Sequence, residues 1–182
     1  MTSTDAHASL VARAASLVLD VADFPTAGIL FKDLTPVLAD PIAFAQVVAW
    51  MARPEVGGVR VEAVAGIEAR GFVLGAPVAL ALGVPFVPVR KAGRLPRAVL
   101  EQSYDLEYGS ATLAVHADAP IAGAGVLLVD DVLATGGTAD AARMLVERAG
   151  GQPLGLVVLL ELGSLAGRER LGGLEVRALL VG

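Results

Sequence analysis

The stretch Val126-Leu-Leu-Val-Asp-Asp-Val-Leu-Ala-Thr-Gly-Gly-Thr138 decides how the chain is read. Four apolar residues end in two adjacent carboxylates, and a small, hydroxyl- and glycine-rich turn follows. The spacing then predicts a helix from about Thr138 to Ala149. A strand apolar at every position is buried on both faces, as in a parallel sheet covered by helices. Ligands of such sheets bind beyond the carboxyl ends of the strands.

Residues 134–138 can present successive backbone N–H groups at a helix N-terminus, which makes a phosphate cradle. Thr135 and Thr138 add hydroxyls, and Gly136-Gly137 let a ligand approach the backbone closely. The nucleotide P-loop pattern GxxxxGK[ST] occurs nowhere in the chain. Asp130 and Asp131 suit vicinal hydroxyls beside the phosphate, as in a ribose 5-phosphate. A lone Gly-Gly turn needs no ligand to explain it; two acids and two threonines around it are harder to explain otherwise.

Outward from this segment the chain alternates helical and strand signals. Leu10, Ala14, Leu17, Val18 and Val21 predict an amphipathic helix over about 8–21, ended by Phe24-Pro25. Asp40-Pro41 opens a second helix. Val61–Gly66 and Val84–Val89 read as strands flanking a helix over Phe72–Leu82, stopped by Gly83. Residues 90–103 lose periodicity, then Tyr104–Tyr108 and Thr112–His116 read as paired strands around Gly109-Ser110. Leu154–Leu162 and Leu174–Leu180 complete the strands, with a short helix over Leu165–Leu171 between them. The expected class is α/β: one domain over 1–182, a mostly parallel sheet flanked by helices, its functional residues just after positions 65, 89 and 129.

The 182 residues carry 14 basic and 19 acidic side chains, a net charge of −5. That balance argues against a nucleic-acid binder. With no cysteine, a disulfide framework, a thiol nucleophile and a Cys-ligated metal are excluded. His7 and His116 are too few and too scattered to suggest a metal pair. No basic and apolar leader opens the chain and its most apolar stretch, Leu154–Leu162, is too short for a membrane helix, so a cytoplasmic protein without membrane association is expected. Twelve of the basic residues are arginine, leaving Lys32 and Lys91 as the only lysines. Gly123-Ala-Gly125 precedes its strand instead of following it, which argues against a dinucleotide-binding loop.

The Asp-Asp-x-x-Ala-Thr-Gly-Gly-Thr segment resembles the phosphoribosyl-pyrophosphate motif of the type I phosphoribosyltransferases. Phe24-Pro-Thr-Ala-Gly-Ile-Leu-Phe-Lys-Asp33, Ala69-Arg-Gly-Phe72, Val87-Pro-Val-Arg-Lys91 with Gly93-Arg-Leu-Pro96, and Tyr104-Asp-Leu-Glu-Tyr-Gly109 narrow the likeness to the adenine phosphoribosyltransferase branch. It runs from about residue 8 to 180.

The resemblance implies transfer of 5-phosphoribose from phosphoribosyl pyrophosphate to adenine, giving AMP and pyrophosphate with Mg²⁺ carried on the substrate phosphates. It implies that Ala134, Thr135, Gly136, Gly137 and Thr138 hold the 5-phosphate and that Asp130 and Asp131 hold the ribose hydroxyls. Glu68, Ala69 and Arg70, with Arg90, Lys91 and Tyr108, would face the pyrophosphate, and the Glu68–Ala69 peptide would be cis. Residues of about 90–109 would form a mobile lid excluding water, and Glu107 would exchange the proton at the purine. The segment of about 24–38 would bind the base through Leu30, Phe31 and Lys32, opposite Leu162. The commonest family pattern has arginine where Lys32 stands, which removes a planar fork of donors. A homodimer is implied, with Arg90 and Lys91 reaching toward the neighbouring subunit's site.

Two alternatives stay open. A phosphoribosyltransferase for 6-oxo purines would want a donor to O6, for which no lysine near the C-terminal strands offers itself. A non-catalytic sensor of the sugar phosphate would usually carry a DNA-binding domain, for which 182 residues leave no room.

Overall fold

The computed structural model describes residues 3–105 and 109–182, and the chain packs as two compact units, 1–50 and 51–182. In the first unit, α1 (Ser3–Leu17) buries Leu10 and Ala14. It ends four residues earlier than its apolar spacing predicts, because Leu19–Ala22 form strand β1, paired antiparallel with β2 (Leu30–Asp33). Leu19 and Val21 satisfy a two-residue period as well as a helical one, so periodicity alone misplaces the boundary. A short α2 (Thr35–Ala39) then precedes α3 (Pro41–Met51). Asp40 caps α3 as expected, its Oδ1 accepting from the Ile42 and Ala43 amides at 3.0 and 2.9 Å. Those bonds and Arg13, 2.6 Å from Oδ2, hold its carboxyl below the ordinary range.

The second unit opens with a small hairpin, β3 (Glu55–Val56) and β4 (Val59–Arg60). The main sheet follows: β5 (Ala63–Ile67), α4 (Arg70–Leu82), β6 (Phe86–Lys91), β7 (Val99–Asp105) and β8 (Ser110–His116). Then come β9 (Gly125–Val129), β10 (Val132–Leu133), α5 (Gly137–Arg148), β11 (Gln152–Glu161) and β12 (Glu175–Val181). In space the order is β10-β11-β9-β5-β6-β8-β7, with β12 also on β11. The pairs among β5, β6, β9, β10, β11 and β12 are parallel, and β7 and β8 add an antiparallel edge. This is the mostly parallel sheet expected from the sequence.

Every residue of β5 and β9 is buried, which accounts for their unbroken apolar runs. Leu128, Leu145, Val146, Leu156 and Val158 lie at the centre of the core, where α5 lies on the sheet. Gly83 ends α4 in the left-handed conformation, with φ +67°.

Two further expectations change. The Leu165–Leu171 helix is two separate 3₁₀ turns, Gly163–Leu165 and Glu169–Leu171, linked through Ala166 at φ +50°. The first strand of the hairpin starts at Val99 instead of Tyr104, and Ser110 belongs to its second strand, from Val99↔His116 to Asp105↔Ser110. Leu100, Gln102 and Tyr104 do alternate toward the interior, but Glu101, Gln102 and Ser103 dilute the pattern. Among the described residues no helix is long and apolar enough to cross a membrane.

Register brings the strand ends together. Gly66 lies opposite Val129, and Ile67 opposite Val89, so β9 and β5 finish within a residue of one another and β6 runs on to Lys91 beside them. Gly71 lets α4 start tight against this edge: a Cβ there would lie 2.7 Å from the Val129 carbonyl and 3.0 Å from Asp130 Oδ1. Gly71→Ala therefore lowers stability by about 1–3 kcal/mol through overpacking, despite alanine's better helix propensity. A thermal melt checks this; a variant that melts at or above the parent temperature would mean the approach is looser than described.

Candidate functional site

Asp130 and Asp131 follow β9 directly, but the turn does not start at once. Val132-Leu133 first pair with β11 as a two-residue strand, and residues 134–136 then form the turn that opens α5. Asp130, residues 132–139 and Leu156 line one pocket, so the structure brings the predicted cradle residues together. Gly136 takes φ +81°, a conformation that favours glycine.

The two carboxylates differ. Asp131 is 7% exposed and meets Arg70 Nε through Oδ2 at 2.8 Å, an ion pair linking the ends of β9 and β5. Asp130 Oδ1 accepts from the Asp131 amide at 2.8 Å. Burial first, and the neighbouring Asp131 charge second, push the Asp130 carboxyl well above the ordinary carboxylate range.

The β5 and β6 ends are joined in a similar way. Glu68 Oε2 accepts from the Lys91 amide at 2.9 Å and from Arg90 Nε at 3.2 Å. Arg90 Nη1 donates in turn to the Arg94 carbonyl at 2.9 Å. Burial alone would raise the Glu68 carboxyl, but these donors outweigh it and hold it below the ordinary range. The Glu68–Ala69 peptide is cis, as the resemblance implies. Glu68, Ala69, Arg70, Arg90 and Lys91 thus share the carboxyl end of the sheet with Asp130 and Asp131. Leu162, just past β11, donates its amide to the Leu133 carbonyl at 2.9 Å.

Leu30, Phe31 and Lys32 lie on β2 of the first unit. Leu30 is exposed, and Phe31 meets Phe24 edge-on with ring centres 5.1 Å apart. Lys32 Nζ reaches Asp20 Oδ1 at 2.7 Å, a pair set by the direct register of β1 on β2. Glu107 and Tyr108 lie outside the described residues. No group of three or more His, Cys, Asp or Glu residues that could hold a metal ion occurs among the described residues.

Sequence reasoning missed the support beneath the cradle. A Cβ on Gly167 would run into the Ala134 carbonyl and lie 3.0 Å from the Gly136 nitrogen. The backbone of 163–172 therefore presses directly on the phosphate-type turn. Arg168 fixes this segment with a two-pronged grip on Glu161, at 2.9 and 2.5 Å, and a third bond to the Val176 carbonyl at 2.6 Å. The Arg168 hydrogen bond holds the Glu161 carboxyl below its ordinary range despite burial. The buried acid Glu161, closing an apolar run at the end of β11, was the available signal.

Comparison with known proteins agrees with this geometry. Residues 37–176 match the family model of the phosphoribosyl transferase domain. An adenine phosphoribosyltransferase of Nocardioides sp. is 56% identical over 183 residues, covering 99% of each chain. That of Thermobifida fusca is 56% identical over 162 residues, covering 89% of this chain and 92% of its own. The crystal structure of adenine phosphoribosyltransferase from Thermoanaerobacter pseudethanolicus superposes with a TM-score of 0.90 at 44% identity, covering 94% of this chain and 99% of that one. The Saccharomyces cerevisiae enzyme, crystallised with an imino-altritol bisphosphate and adenine, gives 0.88 at 39% identity, covering 95% and 99%. With strand order, motif and cradle in agreement, this chain belongs to the adenine phosphoribosyltransferases, within the type I phosphoribosyltransferase family.

Proposed function

We propose that this chain transfers 5-phosphoribose from phosphoribosyl pyrophosphate to adenine, releasing pyrophosphate and forming AMP in purine salvage. The observation that carries the proposal is the pair of adjacent carboxylates after β9, with Asp130 lining the same pocket as residues 132–139 and the buried Asp131 tied to Arg70. The amides of Ala134, Thr135, Gly136, Gly137 and Thr138 bind the 5-phosphate. Asp130 and Asp131 accept from the ribose hydroxyls, and their negative charge favours the cationic sugar carbon of the transition state. Ala69 and Arg70, with Arg90 and Lys91, face the pyrophosphate, and Glu68 holds Arg90 in place. Tyr108 joins them by resemblance, and Glu107 exchanges the purine proton. By resemblance the segment of about 90–109 keeps water from the sugar carbon, with its β7 portion held against β8 and α5.

For the base, the resemblance supports Phe31 as the stacking ring, with the Leu30 backbone and Leu162 as further contacts. Lys32 keeps the positive charge of its position and directs it to Asp20. Asp130 and Asp131 fit a magnesium ion held mainly by phosphate oxygens and water, since Mg²⁺ takes few protein carboxylates. When bound, Mg²⁺ would neutralise phosphate charge and ease departure of the pyrophosphate. The whole chain acts as one phosphoribosyltransferase domain, in a cytoplasmic homodimer. The exposed Val73 and Leu80 on α4 support such pairing.

A panel of bases tests the activity. Pure protein with phosphoribosyl pyrophosphate and Mg²⁺ should form nucleotide from adenine and not from hypoxanthine, guanine or xanthine. Turnover of a 6-oxo purine would overturn the choice of base, and no turnover at all would favour a sensor.

Asp130→Asn separates chemistry from folding. It should lower kcat by about 100-fold or more, as loss of an electrostatic group at a transition state does. Its effect on stability has the opposite sign. The folded-state Asp130 carboxyl lies above the ordinary value of 3.8, so ionising it opposes folding. That cost is absent below the unfolded-state value and grows as pH rises toward the folded-state value. The variant should therefore melt higher at pH 7.5 by about 2–4 °C per kcal/mol recovered, and the gain should shrink toward zero near pH 4. Melting curves at both pH values check the sign.

A further inference from the structure

Helix α5 and strand β7 are fastened together at both ends. At the helix C-terminus, Arg148 Nη1 donates to the Glu101 carbonyl at 2.5 Å and to Gln102 Oε1 at 3.3 Å. At its N-terminus, Thr138 Oγ1 donates to the Tyr104 hydroxyl at 3.2 Å. Strand alternation sends Tyr104 to the same side as Leu100, and both pack on the core of the second unit. Gly137 makes room for the ring, since a Cβ there would sit 3.3 Å from Tyr104 Cδ2.

Core packing thus fixes the ring by its apolar edge, and a phenylalanine would fill the same space. The hydroxyl is surplus to that packing, yet it falls on an atom of the cradle lining. A threonine hydroxyl has one proton and two lone pairs, and both hydroxyls can rotate. Without a ligand the Thr138 proton is directed at the tyrosine; once both rotors turn, the tyrosine donates and the Thr138 proton points at the ligand.

We propose that Tyr104 is a positioning residue for the 5-phosphate: when the phosphate arrives both hydroxyls turn, the Tyr104 O–H donates to Thr138 Oγ1, and the threonine rotor is held with its own O–H aimed at a phosphate oxygen. Each proton stays on its own oxygen throughout. The proposal rests on residues 134–138 being the 5-phosphate cradle.

Ribose 5-phosphate binding, measured by isothermal titration calorimetry, tests it on the wild type, Tyr104→Phe, Thr138→Ala and the double variant. Tyr104→Phe should weaken binding about 2–10-fold, the range of one neutral hydrogen bond. The double variant should bind no more weakly than Thr138→Ala, because the tyrosine acts only through that hydroxyl. In turnover assays Tyr104→Phe should raise the KM for phosphoribosyl pyrophosphate by the same factor and leave kcat within about twofold, whereas a general loosening of β7 would lower kcat too. Wild-type affinity in Tyr104→Phe, or losses that multiply in the double variant, would overturn the role of the tyrosine alone. A wild type that does not bind ribose 5-phosphate would instead remove the cradle reading, and this proposal with it.

Discussion

The ion pair between Asp131 and Arg70 closes the seam where β9 and β5 end. Two adjacent carboxylates, one of them deeply buried, cannot sit at the edge of an apolar sheet without a compensating charge. Arg70 supplies it from the first turn of α4, which the register of β5 on β9 brings to the spot. The same device recurs one strand over, where Glu68 holds Arg90. On the far side Arg168 grips Glu161 at the end of β11. Acid–base pairs therefore stitch successive strand ends into a charged rim above a core that is almost wholly aliphatic. A phosphorylated, diol-bearing substrate meets a surface whose charges already have fixed positions, so little of its binding is lost to ordering flexible side chains.

Beneath that rim lies a second constraint, the absence of side chains at chosen contacts. Gly71 allows α4 to start against the β9 carbonyl, and Gly167 allows the 163–172 segment to press on the phosphate-type turn. Gly137 leaves space for the Tyr104 ring. Each glycine serves a close approach between two backbones or a backbone and a ring, so the cradle is shaped from outside as well as by its own sequence. Preorganised amides of this kind need no rearrangement when charge arrives.

How far the sequence disclosed all this differs from residue to residue. Val126–Val129 was legible because burial on both faces leaves an uninterrupted apolar signature, and Asp40-Pro41 because capping is local chemistry. That residues 134–138 line one pocket with Asp130 was legible because glycine, threonine and paired acids after such a strand have few other uses. The boundary at Leu17 was hidden by apolar residues that satisfy two periods at once. Strand β7 was hidden by its polar outer face. The support from Gly167 and Arg168 was hidden because it depends on where a loop returns in space, which no local pattern records. Lys32 stood out as a departure from family habit, but only the β1–β2 register reveals its partner.

The turn at 134–138 is built from main-chain amides, and these have no acid–base equilibrium anywhere near neutral pH. On the protein's side this turn is thus insulated from proton concentration, while the Asp130 carboxyl beside it is not. Nor can replacing a single side chain erase a hydrogen-bonding row of amides; only bending the chain can, and Gly136 at φ +81° is where it bends. Anchoring and chemistry in one pocket therefore answer to different variables: backbone conformation for the first, protonation for the second.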